Sequence, residues 1–150
     1  MIRVVTAPFD PQAELSTFSA GRADAGALAS FVGLCRAEAG GVATLELDHY
    51  PGFTEAAIEE IDAQARARFD LIDTLVIHRA GKIAPGEVIV LAAALSAHRK
   101  PALAAVDFLM DYLKTGAPFW KRETGPAGER WVEPTSEDYR ARDAWTKEKE

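Results

Sequence analysis

The apolar run Val88 to Ala94 (VIVLAAA) leaves this chain the fewest choices of fold. A run without polar alternation reads as a central strand, buried on both faces of its sheet. At its far end it delivers His98, Arg99 and Lys100, just where a helical pattern begins. Leu103, Val106, Met110 and Leu113 recur there at intervals of three and four, which predicts one buried face. Lys114 closes that helix, Gly116 and Pro118 break it, and Phe119-Trp120-Lys121-Arg122 follows. Cations and large aromatics thus stand at the ends of one helix. Pro101 in the first turn and the exposed N–H groups there suit an anion. The span from Ser96 to Glu123 therefore predicts a site for an anionic, partly flat ligand.

The flanking segments predict an α+β architecture. Ile2 to Thr6 reads as a first or edge strand, and Asp10-Pro11 caps a short helix reaching about Ser19. Leu28 to Cys35 is a strand whose Gly33 predicts a bulge or a close backbone approach. Ala37 to Gly41 reads as a small, flexible loop, and Val42 to Tyr50 as a half-buried strand of period two. A helix from Thr54 to about Phe69 buries Ala57, Ile58, Ile61 and Ala65, and Leu71 to His78 is another strand. Residues 79–87 read as a turn-rich connection. Phe119 to Thr124 and Arg130 to Glu133 predict a hairpin, and the charged tail after Pro134 offers Tyr139 and Trp145 as anchors. The order β-α-β-β-α-β-β-α-β-β, without repeat or boundary, makes residues 1–150 one α+β domain.

Charge and cysteine usage narrow the function. A net charge of −6 argues against a general nucleic-acid binder but leaves room for a local basic pocket. The single cysteine, Cys35, cannot form an internal disulfide. The N-terminal residues lack the pattern of a signal peptide, and no apolar run approaches the ~20 residues that span a bilayer. A cytoplasmic protein without a membrane segment is the expectation.

Several residues could carry chemistry. Lys114 and Lys121 bracket Gly-Ala-Pro, so both amines could reach one pocket and pair with an anion or move a proton. Equally, Lys114 could complement the helix dipole, with Asp111 as an i,i+3 partner, and Lys121 could be solvated. His98 and Arg99 stand where a strand feeds a helix, a common place for ligands, though they could simply cap the sheet edge. Arg36 reads as a surface arginine, and Phe119 and Trp120 as packing residues. Cys35 lies in an apolar strand and reads as a buried free thiol. His49, His78 and His98 lack metal-ligand spacing, and GxGxxG, GxxxxGK[ST] and GxSxG are all missing from the sequence.

In order along the chain stand Phe31-Val32-Gly33…Arg36, His49-Tyr50-Pro51-Gly52…Thr54, Val76-Ile77-His78-Arg79…Gly81, Pro85-Gly86-Glu87, Ser96-Ala97-His98-Arg99, Met110-Asp111-Tyr112-Leu113-Lys114, Ala117-Pro118-Phe119-Trp120-Lys121-Arg122-Glu123 and Arg130-Trp131-Val132. Together they closely resemble the large, catalytic subunit family of molybdopterin synthase, from about Ala27 to Val132. A departure is local: Cys35 stands where the family commonly has an aliphatic residue, and the loop after Arg36 is short.

The resemblance implies an α/β hammerhead-type fold with an additional small antiparallel β subdomain. It implies a homodimer within a heterotetramer, each end binding a small ubiquitin-like subunit with a C-terminal thiocarboxylate. The implied reaction is transfer of two sulfurs to cyclic pyranopterin monophosphate (precursor Z), a pterin with a cyclic phosphate, forming the dithiolene of molybdopterin. By motif, Lys114 would assist at the thiocarboxylate and Lys121 would support it. Arg36, His98 and Arg99 would bind the pterin phosphate, in a pocket completed across the dimer, and Phe31 would line its wall. The resemblance calls for no cofactor or metal. Two other readings of the residues are a phosphoester hydrolase using His98 and a non-catalytic scaffold that captures a ubiquitin-like tail.

Overall fold

The computed structural model describes residues 1–37, 44–126 and 128–147. Its elements are β1 (Ile2–Val5), α1 (Pro11–Ser19), β2 (Ala27–Leu34), β3 (Thr44–His49), α2 (Phe53–Arg68), β4 (Asp73–Arg79), β5 (Gly81–Ile83), β6 (Val88–Ser96), α3 (Arg99–Gly116), β7 (Phe119–Gly125), β8 (Gly128–Val132) and α4 (Ser136–Lys147). They form two four-stranded sheets, ordered β1-β4-β6-β2 and β5-β3-β7-β8. The first is mixed, with β1 parallel to β4 and the other pairs antiparallel; the second is antiparallel throughout.

The apolar run does lie inside the first sheet, between β4 and β2, and is covered on both sides. Leu75, Ile77, Leu91 and Ala93 point to one face, where Phe9, Leu15 and Phe18 from α1 and its approach cover them. Val76 and Val90 point to the other, against Ile58, Ile61 and Ala65 of α2 and Phe108, Leu109 and Leu113 of α3. The alanines of β6 have a reason. Ala94 and Ala29 meet Ala102, Ala105 and Val106, so small side chains let the first half of α3 lie close to the sheet.

That close approach rotates α3 relative to the expected stripe. Val106 and Leu113 are buried as expected and Met110 is half-buried, but Leu103 is 59% exposed. Ala102, Ala105 and Leu109 take the inner face instead. Two elements were invisible in the sequence. The 79–87 connection contains the short strand β5, paired with β3, and the charged tail forms α4. The expected loop 37–41 lies, apart from Ala37, outside the described residues.

Gly33 behaves as its position in a strand predicts. The β2–β6 register shifts between Gly33 and Leu34. A Cβ on Gly33 would meet Val90 Cγ1 at 2.8 Å. The start of α2 is tied to the second sheet by a buried hydroxyl: Thr54 Oγ1 accepts from Tyr50 N (2.9 Å) and donates to Pro118 O (3.1 Å). The bend between α3 and β7 is thereby held, and that bend sets the geometry of the site.

Candidate functional site

Helix α3 ends at Gly116 and β7 starts at Phe119, so only Ala117 and Pro118 separate them. Pro118 supplies no N–H to continue the helix, while the Ala117 N–H still donates to Leu113 O. This tight reversal brings the last turn of α3 beside the first residues of β7. Along β7 the period of two then sorts the side chains. Phe119 packs against the core, and Lys121 and Glu123 line a cavity on the same side. Trp120 is exposed and lies edge-on to Trp131, with their ring centroids 5.8 Å apart.

The cavity is about 400 Å³ and is lined by Leu34, Cys35, Arg36, Leu45 and Ile89 together with Lys114, Lys121, Glu123 and Val132. Arg36 reaches it because β2 ends at its bulge and Cys35 is then held by backbone bonds to the 86–87 turn, Cys35 N to Glu87 O (2.8 Å) and Gly86 N to Cys35 O (2.6 Å). Apolar walls with a few convergent charges are the usual make-up of a small-molecule site.

The charges in this cavity influence one another. Burial lowers the Lys121 pKa from its ordinary value, and the neighbouring Lys114 charge lowers it further; Glu123, Asp138 and Cys35 oppose the shift. An amine held this way exchanges a proton nearer neutrality than a solvated lysine does. The Lys114 ammonium lies 3.1 Å from Asp138 Oδ1 on α4. Asp111 is not its partner: that carboxylate accepts instead from Trp145 Nε1 at 2.7 Å. The Glu123 carboxylate is engaged by Arg130, whose Nη2 lies 2.9 Å from Oε2. Burial pushes the Cys35 thiol up, and its Sγ lies 3.8 Å from Ile83 O, so it stays protonated as a wall of the cavity.

Arg36, Lys114 and Lys121 are therefore brought together. His98 and Arg99 are not. They sit exposed at the N-cap and first residue of α3, and the 15 residues to Lys114 correspond to about 22 Å of helix. Phe31 is 44% exposed on β2, an edge strand of the first sheet, and does not line the cavity. Glu123 and Val132 belong to the site although they were not singled out. The alternation of Phe119, Lys121 and Glu123 would have found the first. Asp138 had no such signal, being 24 residues from Lys114 in a charged tail.

Comparison with known proteins decides the family. The family model described as "MoaE protein" matches residues 4–116. The chain belongs to the MoaE family. This MoaE-family chain is 51% identical over 148 residues to the molybdopterin synthase catalytic subunit of Caulobacter vibrioides, with 99% of each chain covered. Its structure matches the molybdopterin biosynthesis MoaE protein of Burkholderia ambifaria at a TM-score of 0.84 and 47% identity, covering 97% of both chains. It also matches the molybdopterin synthase of Staphylococcus aureus at a TM-score of 0.77 and 27% identity, covering 86% of this chain and 94% of that one. The mixed α+β fold with an added antiparallel sheet is thus the fold of this family. Among the described residues no helix is long and apolar enough to cross a membrane.

Proposed function

We propose that this chain is the catalytic subunit of a molybdopterin synthase. It would transfer sulfur from the thiocarboxylated C-terminus of a small ubiquitin-like partner to cyclic pyranopterin monophosphate, forming the dithiolene of molybdopterin. The observation that carries this reading is the convergence of Arg36, Lys114 and Lys121 on one cavity in a chain of this family. A thiocarboxylate and a cyclic phosphate are both anions, and three cations on partly apolar walls bind anions more strongly than the same charges in water.

The roles follow from the environments. Lys114, at the solvent-facing edge, meets the incoming thiocarboxylate and offsets charge as the sulfur is transferred. Lys121, whose affinity for a proton is weakened, gives or takes the proton that accompanies transfer. Arg36 binds the phosphate with its fork of donors. His98, Arg99 and Phe31 complete the substrate pocket from a second copy of this chain, which reconciles their role with their distance from Lys114 in one copy. The working assembly is then a heterotetramer, in the cytoplasm, with residues 1–150 of each large subunit acting as one unit.

The test is reconstitution. Purified chain, thiocarboxylated small subunit and cyclic pyranopterin monophosphate are mixed, and molybdopterin is measured for wild type and Lys114→Ala. Product from wild type and a loss of about 10²-fold or more in the variant is expected. No product from wild type, with partner and substrate verified, overturns the proposal. Full activity of Lys114→Ala with partner binding retained would favour the scaffold reading instead.

A further inference from the structure

Helix α4 does more than close the chain. Its N-terminus is a reciprocal cap: Thr135 N and Oγ1 donate to Asp138 Oδ2 at 2.8 and 2.9 Å, and Asp138 N donates to Thr135 Oγ1 at 3.2 Å. One carboxylate oxygen is thus committed to the helix, and the other, Oδ1, is presented to Lys114 Nζ at 3.1 Å. The far end of α4 is fastened independently. Trp145 packs edge-on against Phe69 and Phe108, its Nε1 donates to Asp111 Oδ2, and its carbonyl accepts from Arg68 Nη1 at 2.8 Å. The Asp138 carboxylate is therefore placed by the fold and not by Lys114.

We propose that Asp138 is a positioning residue for the reaction, holding the Lys114 ammonium at the cavity mouth so that α4 is a working part of the site. This rests on the role of Lys114 proposed above. The Lys114 side chain is 59% exposed and that of Asp138 20%, so the pair contributes little to stability. Its consequence is geometric: a flexible four-carbon stem is given one acceptor at the place where the anion must arrive. The other carboxylates nearby are already engaged, Glu123 by Arg130 and Asp111 by Trp145.

The charge matters as well. Lys114 is faced by Lys121 and Glu123 from β7, Arg36 after β2, Asp111 on its own helix and Asp138 from α4. Asp138 also helps to keep the proton on Lys121. Removing its charge weakens proton binding by Lys121, so a rate limb set by that amine moves to lower pH.

The experiment uses the reconstituted complex with thiocarboxylated small subunit and cyclic pyranopterin monophosphate. It compares wild type, Asp138→Asn, Lys114→Ala and the double variant across pH. Asp138→Asn is expected to lower kcat about tenfold, with KM for the small subunit changed less than about twofold and the amine limb moved to lower pH. Compared at each variant's own pH optimum, the double variant should be no slower than Lys114→Ala, since the positioning by Asp138 acts through that lysine. Thr135→Ala, which weakens the cap but keeps the carboxylate, should leave the pH limb in place. Wild-type kcat and pH profile for Asp138→Asn, or losses that multiply in the double variant, would overturn the proposal. So would a limb shift in Thr135→Ala equal to that in Asp138→Asn. If Lys114→Ala is inactive while Asp138→Asn is unaffected, only the positioning role falls; if Lys114→Ala is fully active, both fall.

Discussion

His78 gives the sharpest test of the electrostatics beneath the cavity. Its ring stacks on Phe119 with centroids 4.1 Å apart, and its Nδ1 lies 2.8 Å from Arg79 O. The neutral ring donates this bond from Nδ1–H, and the other nitrogen carries the lone pair. Burial pushes its pKa down from 6.5 to about 4, with the Lys121 charge adding to the effect and the Arg79 bond opposing it. Between those values the unfolded chain binds more protons than the folded one, so stability rises with pH there. It is lost as pH falls below 6.5 and levels off below about 4. A fall from 6.5 to about 4, at about 1.4 kcal/mol per pH unit, amounts to at most about 3.5 kcal/mol, less where the ring edge reaches water. His78→Asn keeps a donor for the Arg79 carbonyl but does not titrate. Urea unfolding at pH 7 and pH 4 should show wild type losing about 2–3 kcal/mol more than the variant, because carboxylate effects cancel between them. Parallel stability curves, or an imidazole NMR titration near 6.5, would refute the argument.

Three other outcomes follow from particular contacts. Trp145→Ala removes the ring that packs on Phe69 and Phe108, and should cost about 2–4 kcal/mol while lowering α4 helicity, read by denaturation and circular dichroism. Gly26→Ala would set a Cβ 2.2 Å from the Ala97 carbonyl oxygen, a backbone atom that cannot step aside; a loss of about 2–3 kcal/mol in chemical denaturation is expected, and a neutral result would show that the 26–97 approach is looser than described. Arg36→Ala should leave the thermal midpoint nearly unchanged, because the residue is exposed, but raise KM for cyclic pyranopterin monophosphate about tenfold or more in the reconstituted assay.

Much of this architecture is legible in the sequence by itself, because strand and helix periods are properties of the backbone that a few neighbouring residues reveal. The apolar run predicts the buried β6, Gly33 predicts a bulge or a close approach, and Lys-Thr-Gly-Ala-Pro predicts the break after which Lys114 and Lys121 could reach one pocket. Family likeness supplies the chemistry that such a pair suits.

Tertiary packing decided the rest. The face α3 turns inward depends on alanines meeting alanines, and the hydrophobic pattern favoured Leu103, which is exposed. Strand β5 has three residues, and its place depends on its partner β3. Helix α4 buries no residue completely and is held by one tryptophan and a few polar bonds. The local spacing offered Asp111 as the partner of Lys114, and nothing in the sequence singled out Asp138. The structure gives Asp111 to Trp145 and Asp138 to Lys114, because side chains distant in sequence are paired by the shape of the packed core and not by any local period.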